Sequence, residues 1–502
     1  MKMNIGGFLT KRAVLTPKKE ALVLGDVRLN FMQLNQRCNQ FVNSIGQLGI
    51  GYGDRVAILA LNEPEFFDLY FGLGKIGAIM VPINHRLAGP EIQYILNDCG
   101  AKVLIFGQEF ASVVEAIKEE IPCEHLVAIM ESPPEYARSY QQLTAGASGK
   151  EPAINCGDED TLTILYTSGT TGRPKGAELT HSGYFGTSLT LRATFGDIGE
   201  TLLMPLPLFH IGALAPVPMC VHFGMKMVFQ RAFEPKNFLE LLGREQITWF
   251  GSVPQILMFL RQIPDFDKYD WHTVKMALVY AAPVPVTLIK EYAAAGIEIR
   301  QLYGMTECTG PATVIDSENA IEKAGSCGPP FFHNEIRVVD LSGNDVGANE
   351  MGEVLIAGTN LMKGYWNKPE ATTETLKDGW LFSGDMGKMD EDGFLYIMDR
   401  KKDMIISGGE NIYPAEIEDV LLGHPKIGDV AVIGFDDERW GESIKAVAAI
   451  KEGETLTESE LLEWCQGKIG KFKIPKKVVF TDQIPRTPTG KILKRILRDQ
   501  FN

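Results

Sequence analysis

From Arg55 onward the chain alternates short unbroken apolar runs with longer segments of helical period. Residues 55–61 (RVAILAL) predict a buried strand, 63–76 a helix, 78–84 (AIMVPIN) a strand, 90–98 a helix and 101–107 (AKVLIFG) a strand. Strands alternating with helices build βαβ units and a parallel sheet. The rhythm returns later, with strand candidates at 226–229, 248–251, 276–281 and 298–303. Two related α/β layers are therefore expected. Residues 325–396 change character: short apolar runs (EIRVVD, GEVLIAG, GFLYIMD) stand between Gly/Asn/Asp turns, which predicts a small β-rich unit. A further small α/β segment follows Asp399, and the charged stretch Asp399-Arg-Lys-Lys-Asp403 marks the break. The expected class is α/β. Domain 1–399 holds both layers and the β-rich subdomain (about 325–399), 400–402 forms a connection, and 403–502 forms a small C-terminal domain.

Composition narrows the chemistry. The formal net charge of -15 argues against nucleic acid as the main partner, because binding phosphate backbones needs a basic surface. None of the 8 cysteines forms a C-x-x-C pair, so neither a zinc knuckle nor a dithiol redox site is indicated. The first twenty residues carry no long apolar stretch, and no run of about 18 apolar residues occurs anywhere. No integral membrane segment is expected, and the cytoplasm is the expected compartment.

Gly72-Leu-Gly-Lys-Ile-Gly77 matches G-x-G-x-x-G, but a dinucleotide fingerprint must follow a strand and open a helix. Here the glycines close a predicted helix ahead of a strand. Close helix packing and a C-cap explain them better. No G-x-S-x-G nucleophile elbow is present.

The most informative stretch is Tyr166-Thr-Ser-Gly-Thr-Thr-Gly-Arg-Pro-Lys-Gly176, which follows the apolar run 162–165. Such a loop exposes backbone N–H groups and hydroxyls that can wrap phosphate oxygens, and Lys175 adds a full positive charge. It is not a Walker A loop, since Pro174 stands where a glycine should precede the lysine. A flexible surface linker is the bland alternative, and it would not require this order of residues.

This loop resembles the phosphate-loop signature of the adenylate-forming superfamily, which holds acyl-CoA synthetases, peptide-synthetase adenylation domains and beetle luciferases. The resemblance continues through Tyr303-Gly-Met-Thr-Glu307, Ser383-Gly-Asp385, Asp399–Asp403 with Ser407-Gly-Gly-Glu-Asn-Ile-Tyr-Pro414, and Pro485-Arg-Thr-Pro-Thr-Gly-Lys491. It spans nearly the whole chain. It implies ATP contacts at Thr167, Ser168, Gly169, Thr170, Thr171, Gly172 and Lys175. It implies Glu307 as ligand of an ATP-bound Mg²⁺ and Thr306 as a phosphate contact. Ala281, Ala282 and Pro283 would pack on adenine, with Tyr303 and Gly304 on the opposite side. Many relatives have Gly where Ala281 stands. Asp385 and Arg400 would hold the ribose. Lys491 would be the catalytic lysine of the C-terminal domain, Lys402 the hinge about which that domain swings, and Gly408 and Gly409 the backbone that approaches CoA.

Within the superfamily, Phe209-His-Ile-Gly212 resembles the aromatic–His motif of the acyl-CoA synthetase branch. Expected acyl-pocket residues are His210, Phe250, Ser252 and Met305. No lysine or arginine is among them, so an apolar fatty or aromatic acid is expected. The lysine run Lys468, Lys471, Lys473, Lys476 and Lys477 is either a site for a CoA phosphate or a solvated face. The implied activity is AMP-forming acid–CoA ligation with ATP, Mg²⁺ and CoA, in a monomer or homodimer. Loading of a carrier protein, a luciferase-like oxygenation and simple nucleotide binding stay open as alternatives.

Overall fold

The computed structural model describes residues 4–154, 156–167, 173–282, 284–401, 403–407, 410–437, 440–466, 468–486 and 492–501. Lys491, Lys402, Gly408, Gly409, Pro283 and residues 168–172 lie outside this set.

Two compact units are resolved. The first comprises Met1–Ile336 and Ile356–Leu381, and the second Arg337–Leu355 and Phe382–Asn502. The expected boundary at 399 leaves the whole β-rich segment on the N-terminal side; by compactness, its residues 337–355 and 382–399 group with the C-terminal part.

The first unit contains two eight-stranded sheets, as the doubled α/β rhythm implied. One runs in the order Gly310–Ile315, Glu298–Met305, Met276–Val279, Trp249–Ser252, Thr201–Met204, Lys226–Phe229, Glu20–Leu24, Val27–Asn30. Its interior pairs are parallel and both outermost pairs are antiparallel. The other runs Gly364–Tyr365, Lys175–Thr180, Thr161–Thr167, Ile79–Pro82, Arg55–Leu59, Val103–Gly107, His125–Ile129, Arg138–Ser139. Its central strands Ile79–Pro82, Arg55–Leu59 and Val103–Gly107 are buried throughout apart from Arg55, so they show no polar/apolar alternation.

Local chemistry sets the element ends. Gly77 leaves the helix Glu65–Ile76 in the left-handed region at φ 74°, the C-cap expected of it. A Cβ on Gly72 would come within 2.8 Å of Val42, and one on Gly74 within 2.9 Å of Leu162. The glycine triplet therefore serves helix packing, not a nucleotide. The strand expected at 276–281 ends at Val279, because Ala281 turns to φ 75° and cannot continue the ladder. The strand expected at 298–303 runs on to Met305 and pairs with Gly310–Ile315.

In the second unit, Leu395–Arg400 pairs antiparallel with Trp380–Met389, which sets Asp385 opposite Arg400. A second sheet joins Glu410–Ile412, Ile405–Ser407, Gly441–Ile450, Ile427–Asp437 and Lys477–Phe480. Helices Pro414–Leu422 and Glu458–Cys465 bury Ile417, Leu421, Leu461 and Cys465 in its core.

Candidate active site

The two stems of the hydroxyl–glycine loop are antiparallel strands, with Thr167 opposite Lys175. The helix Gly89–Cys99 anchors both stems, through Asp98 and Tyr94. Tyr166 donates to Asp98 Oδ2 at 2.6 Å, Lys368 pairs with Asp98 Oδ1 at 3.2 Å, and Tyr94 donates to Pro174 O at 3.2 Å. Burial, followed by the charge of neighbouring groups, pushes the Tyr166 phenol well above its ordinary value, so it stays a donor.

Lys175 opens the returning strand. The short strand Gly364–Tyr365 pairs beside it, with Tyr365 opposite Ala177 and Trp366 N donating to Gly176 O at 2.8 Å. That register sets the Tyr365 ring under Lys175 Nζ, 4.9 Å from the centroid, within cation–π range. The Tyr365 hydroxyl donates to Glu307 Oε1 at 2.9 Å. Tyr365 thus links the cation of the loop to the carboxylate that the sequence reading singled out. Both Glu307 and Tyr365 are buried.

Glu307 sits in the single turn Thr306–Cys308, at the carboxyl end of the strand Glu298–Met305. Parallel sheets present ligand groups at that end. The turn is braced by Asn360, whose Nδ2 donates to Cys308 O at 2.7 Å and Pro311 O at 2.9 Å, and by Thr187 Oγ1, which donates to Thr309 O at 3.0 Å. Met362 N donates to Glu307 O at 2.8 Å. Gly304 is required where it stands, since a Cβ there would lie 1.8 Å from Gly310 O.

A magnesium ion needs hard oxygen ligands, and a single carboxylate suffices when substrate phosphates and water supply the rest. Glu307 fits this need. Tyr365 occupies Oε1, and Oε2 is left for a cation. Among the described residues no group of three or more His, Cys, Asp or Glu could hold a metal by itself.

His210 precedes the short helix Ile211–Leu214, and its Nε2 is buried with no hydrogen-bond partner in the structure. Burial, then the charges of Arg86 and His85, pushes its imidazole down to about 4, so it is neutral at physiological pH. Met305 packs partly buried against the main core. Phe250 and Ser252 lie on the buried strand Trp249–Ser252. The Phe250 ring stacks edge-on to Phe238 at 5.2 Å and near Trp271 at 6.3 Å. Residue 251, which alternates to the other face, is the one next to Met204 and Tyr280. Phe250 and Ser252 are therefore turned away from that side, and periodicity alone could not tell which face of a fully buried strand looks where.

In the second unit, Arg400 Nε and Asp385 Oδ1 form an ion pair at 2.7 Å, with Asp385 only 4% exposed. Ser383 Oγ accepts from Asp385 N at 3.0 Å and donates to Val354 O at 2.6 Å, which fixes the acid's backbone. Asp399 accepts from Ala415 N at 2.9 Å, at the start of the helix Pro414–Leu422. The lysine run divides. Lys473 is neutralised by Glu416 at 2.6 Å, Lys468 lies over Trp464 at 3.7 Å, and Lys477 shares the Phe435 ring with Lys445.

Tyr365, Asn360 and Asp98 were missed from sequence. Nothing local in Gly364-Tyr365-Trp366 ties it to a loop nearly two hundred positions earlier.

A stem-anchored hydroxyl–glycine loop, a lysine and a buried acid at the carboxyl end of a parallel strand define an α/β enzyme built to handle a nucleotide phosphate. Comparison with known proteins gives the family. The chain matches the AMP-binding enzyme family over residues 9–366 and the AMP-binding enzyme C-terminal domain over 416–491, and it belongs to that family. It is 42% identical over 99% of both chains to the long-chain-fatty-acid–CoA ligase FadD13 of Mycobacterium tuberculosis. It is 38% identical, again over 99% of both, to a feruloyl-CoA synthase of Amycolatopsis. Among solved structures, O-succinylbenzoate coenzyme A synthetase (MenE) of Bacillus subtilis in complex with ATP and magnesium superposes with TM-score 0.86 at 30% identity, over 98% of both chains. No helix among the described residues is long and apolar enough to cross a membrane.

Proposed function

We propose that this chain is an ATP-dependent, AMP-forming ligase that joins a fatty or aromatic carboxylic acid to coenzyme A. The observation that carries the reading is the convergence of Lys175 and Glu307 on Tyr365 beside the hydroxyl–glycine loop. In the first half-reaction a carboxylate oxygen attacks the α-phosphorus of ATP and the bond to the β-phosphate breaks, releasing pyrophosphate. In the second, the CoA sulfur attacks the acyl carbon, the thiol proton is lost, and AMP leaves. Neither step needs a protein nucleophile.

Negative charge gathers on the phosphate oxygens in the first step, so positioned cations lower the barrier. Lys175 meets the outer phosphates, Thr306 a further phosphate oxygen, and Glu307 would hold a magnesium ion, which would supply neutralising charge on the phosphates. Lys491 is assigned the α-phosphate, Asp385 and Arg400 the ribose, and Ala281, Ala282 and Tyr303 the adenine. Neutral His210 borders the acid. Lys402 is the hinge and Gly408 and Gly409 the CoA approach. These roles rest on the resemblance and on the chemistry of each residue. The same reading makes the protein cytoplasmic, where ATP and CoA are found, and allows a homodimer.

The test incubates the protein with ATP, Mg²⁺ and a panel of fatty, aryl and amino acids, and follows pyrophosphate, AMP and thioester with and without CoA. Acid-dependent pyrophosphate followed by a CoA thioester is expected. Pyrophosphate without thioester would transfer the reading to another acceptor, such as a carrier protein.

A further inference from the structure

Tyr280 is a bulky residue in an unusually crowded place. It follows the strand Met276–Val279, and its backbone N donates to Ser252 O at 3.2 Å. Its hydroxyl donates to Gly212 O at 2.6 Å and lies 3.7 Å from Met204 Sδ. Both glycines it meets are places where no side chain fits. A Cβ on Gly212 would lie 2.4 Å from the Tyr280 ring, and one on Gly251 would lie 2.7 Å from its hydroxyl. The phenol therefore fills the wedge between the ends of the strands Thr201–Met204 and Trp249–Ser252 and the start of the helix Ile211–Leu214.

This wedge adjoins the candidate chemistry. His210, with its buried unpartnered Nε2, begins the same helix. Farther along, Ile211 and Ala215 pack against Gly310, which ends the Glu307 turn: a Cβ on Gly310 would be 3.1 Å from Ala215 Cβ and 3.9 Å from Ile211 Cγ1. The Tyr280 ring stands beside Gly212, the second residue of the helix that His210 begins.

We propose that Tyr280 is the end wall of the acid pocket, and that it restricts the substrate to compact apolar acids: short chains or a single ring. This rests on the ligase reading above. The ring is tethered at its hydroxyl, so it does not swing aside as freely as an unbonded side chain would. Met204, beside the Tyr280 hydroxyl, and Ile211, beside Gly310, are apolar and suit hydrocarbon.

The experiment compares kcat/KM for straight-chain acids of increasing length, by acid-dependent pyrophosphate release and by thioester formation. Wild type should peak at short chains and fall steeply beyond. Tyr280→Ala should move the peak to longer acids, with about 10-fold or more gained for each of the first methylenes newly admitted. Tyr280→Leu, a smaller packing change, should give an intermediate shift and guards against an alanine variant that folds poorly. Adding Gly212→Ala to Tyr280→Ala returns a methyl to the vacated wedge and should shorten the preference again. Identical length profiles in wild type and in both single variants would overturn the proposal and leave the ligase reading intact. So would a wild-type preference for long chains. If wild type releases no acid-dependent pyrophosphate and makes no thioester from any acid, the ligase reading fails and this inference with it.

Discussion

Removing one oxygen atom from Tyr365 tests the core of the proposed site. Tyr365→Phe deletes the hydroxyl that donates to Glu307 Oε1 at 2.9 Å but keeps the ring under Lys175. Tyr365 is 8% exposed and Glu307 7%, so water does not simply replace the lost donor. A hydrogen bond to a charged group in such a place is worth about 1.5–3 kcal/mol. The retained cation–π contact is worth about 0.5–2 kcal/mol, so the hydroxyl is the larger single effect. One oxygen of Glu307 would lose its orientation, and the carboxylate would be less well aimed at the metal. We expect acid-dependent ATP–pyrophosphate exchange to fall by about 10- to 100-fold at fixed Mg²⁺. Part of the loss should be recovered by raising Mg²⁺, and the KM for the acid should hardly change. Tyr365→Leu, which also removes the ring, should lose more and weaken ATP binding through Lys175. The pair Tyr365→Phe and Glu307→Gln should be strongly non-additive, because both act on one carboxylate. A phenylalanine variant with the wild-type rate and magnesium dependence would refute the positioning role. So would simple additivity with Glu307→Gln.

Three further outcomes can be checked. Ala281 holds φ 75°, a region that costs a non-glycine residue about 1–3 kcal/mol, while glycine adds about 0.5–1 kcal/mol of unfolded-state entropy. Ala281→Gly should therefore leave the melting temperature equal or higher, and a fall of several degrees would contradict the strain. His181 is fully buried, its Nδ1 accepts from Ile5 N at 3.1 Å, and burial pushes it down to about 4 from an ordinary 6.5. The unfolded chain takes up that proton first as pH falls, so the contribution is complete above 6.5 and is lost as pH drops from 6.5 to about 4. It amounts to about 3 kcal/mol at full effect, and His181→Gln should flatten the melting temperature between pH 7 and pH 5. Lys491→Ala should abolish pyrophosphate release yet still convert a presynthesised acyl-adenylate to the thioester. Equal loss of both half-reactions would mean the lysine is needed beyond adenylation.

Several features could be read from the chain alone because their causes are local. Apolar runs of strand length between helical segments predicted parallel layers, and both eight-stranded sheets are there. Gly77 could be recognised as a helix cap because its flanking pattern placed it at a helix end. The hydroxyl–glycine loop could be singled out because no packed core tolerates that composition, and the ordered motifs pointed to the family that the chain belongs to.

What depended on the tertiary structure was every relation between residues distant in sequence. Tyr365 meets Lys175 and Glu307 only because the strand Gly364–Tyr365 pairs with Lys175–Thr180 in one register. A shift of one residue would turn that ring to the opposite face. The side of the sheet to which Phe250 points was equally hidden, since a strand buried on both faces has no alternation to read. Tyr280 directly precedes the expected adenine turn, and only the fold sets its ring against Gly212 and Gly251. The sequence determined which chemical groups were available and where the chain could bend. Close packing between distant segments decided which of those groups share a site, because contact at a few ångströms is set by the whole core and not by any local pattern.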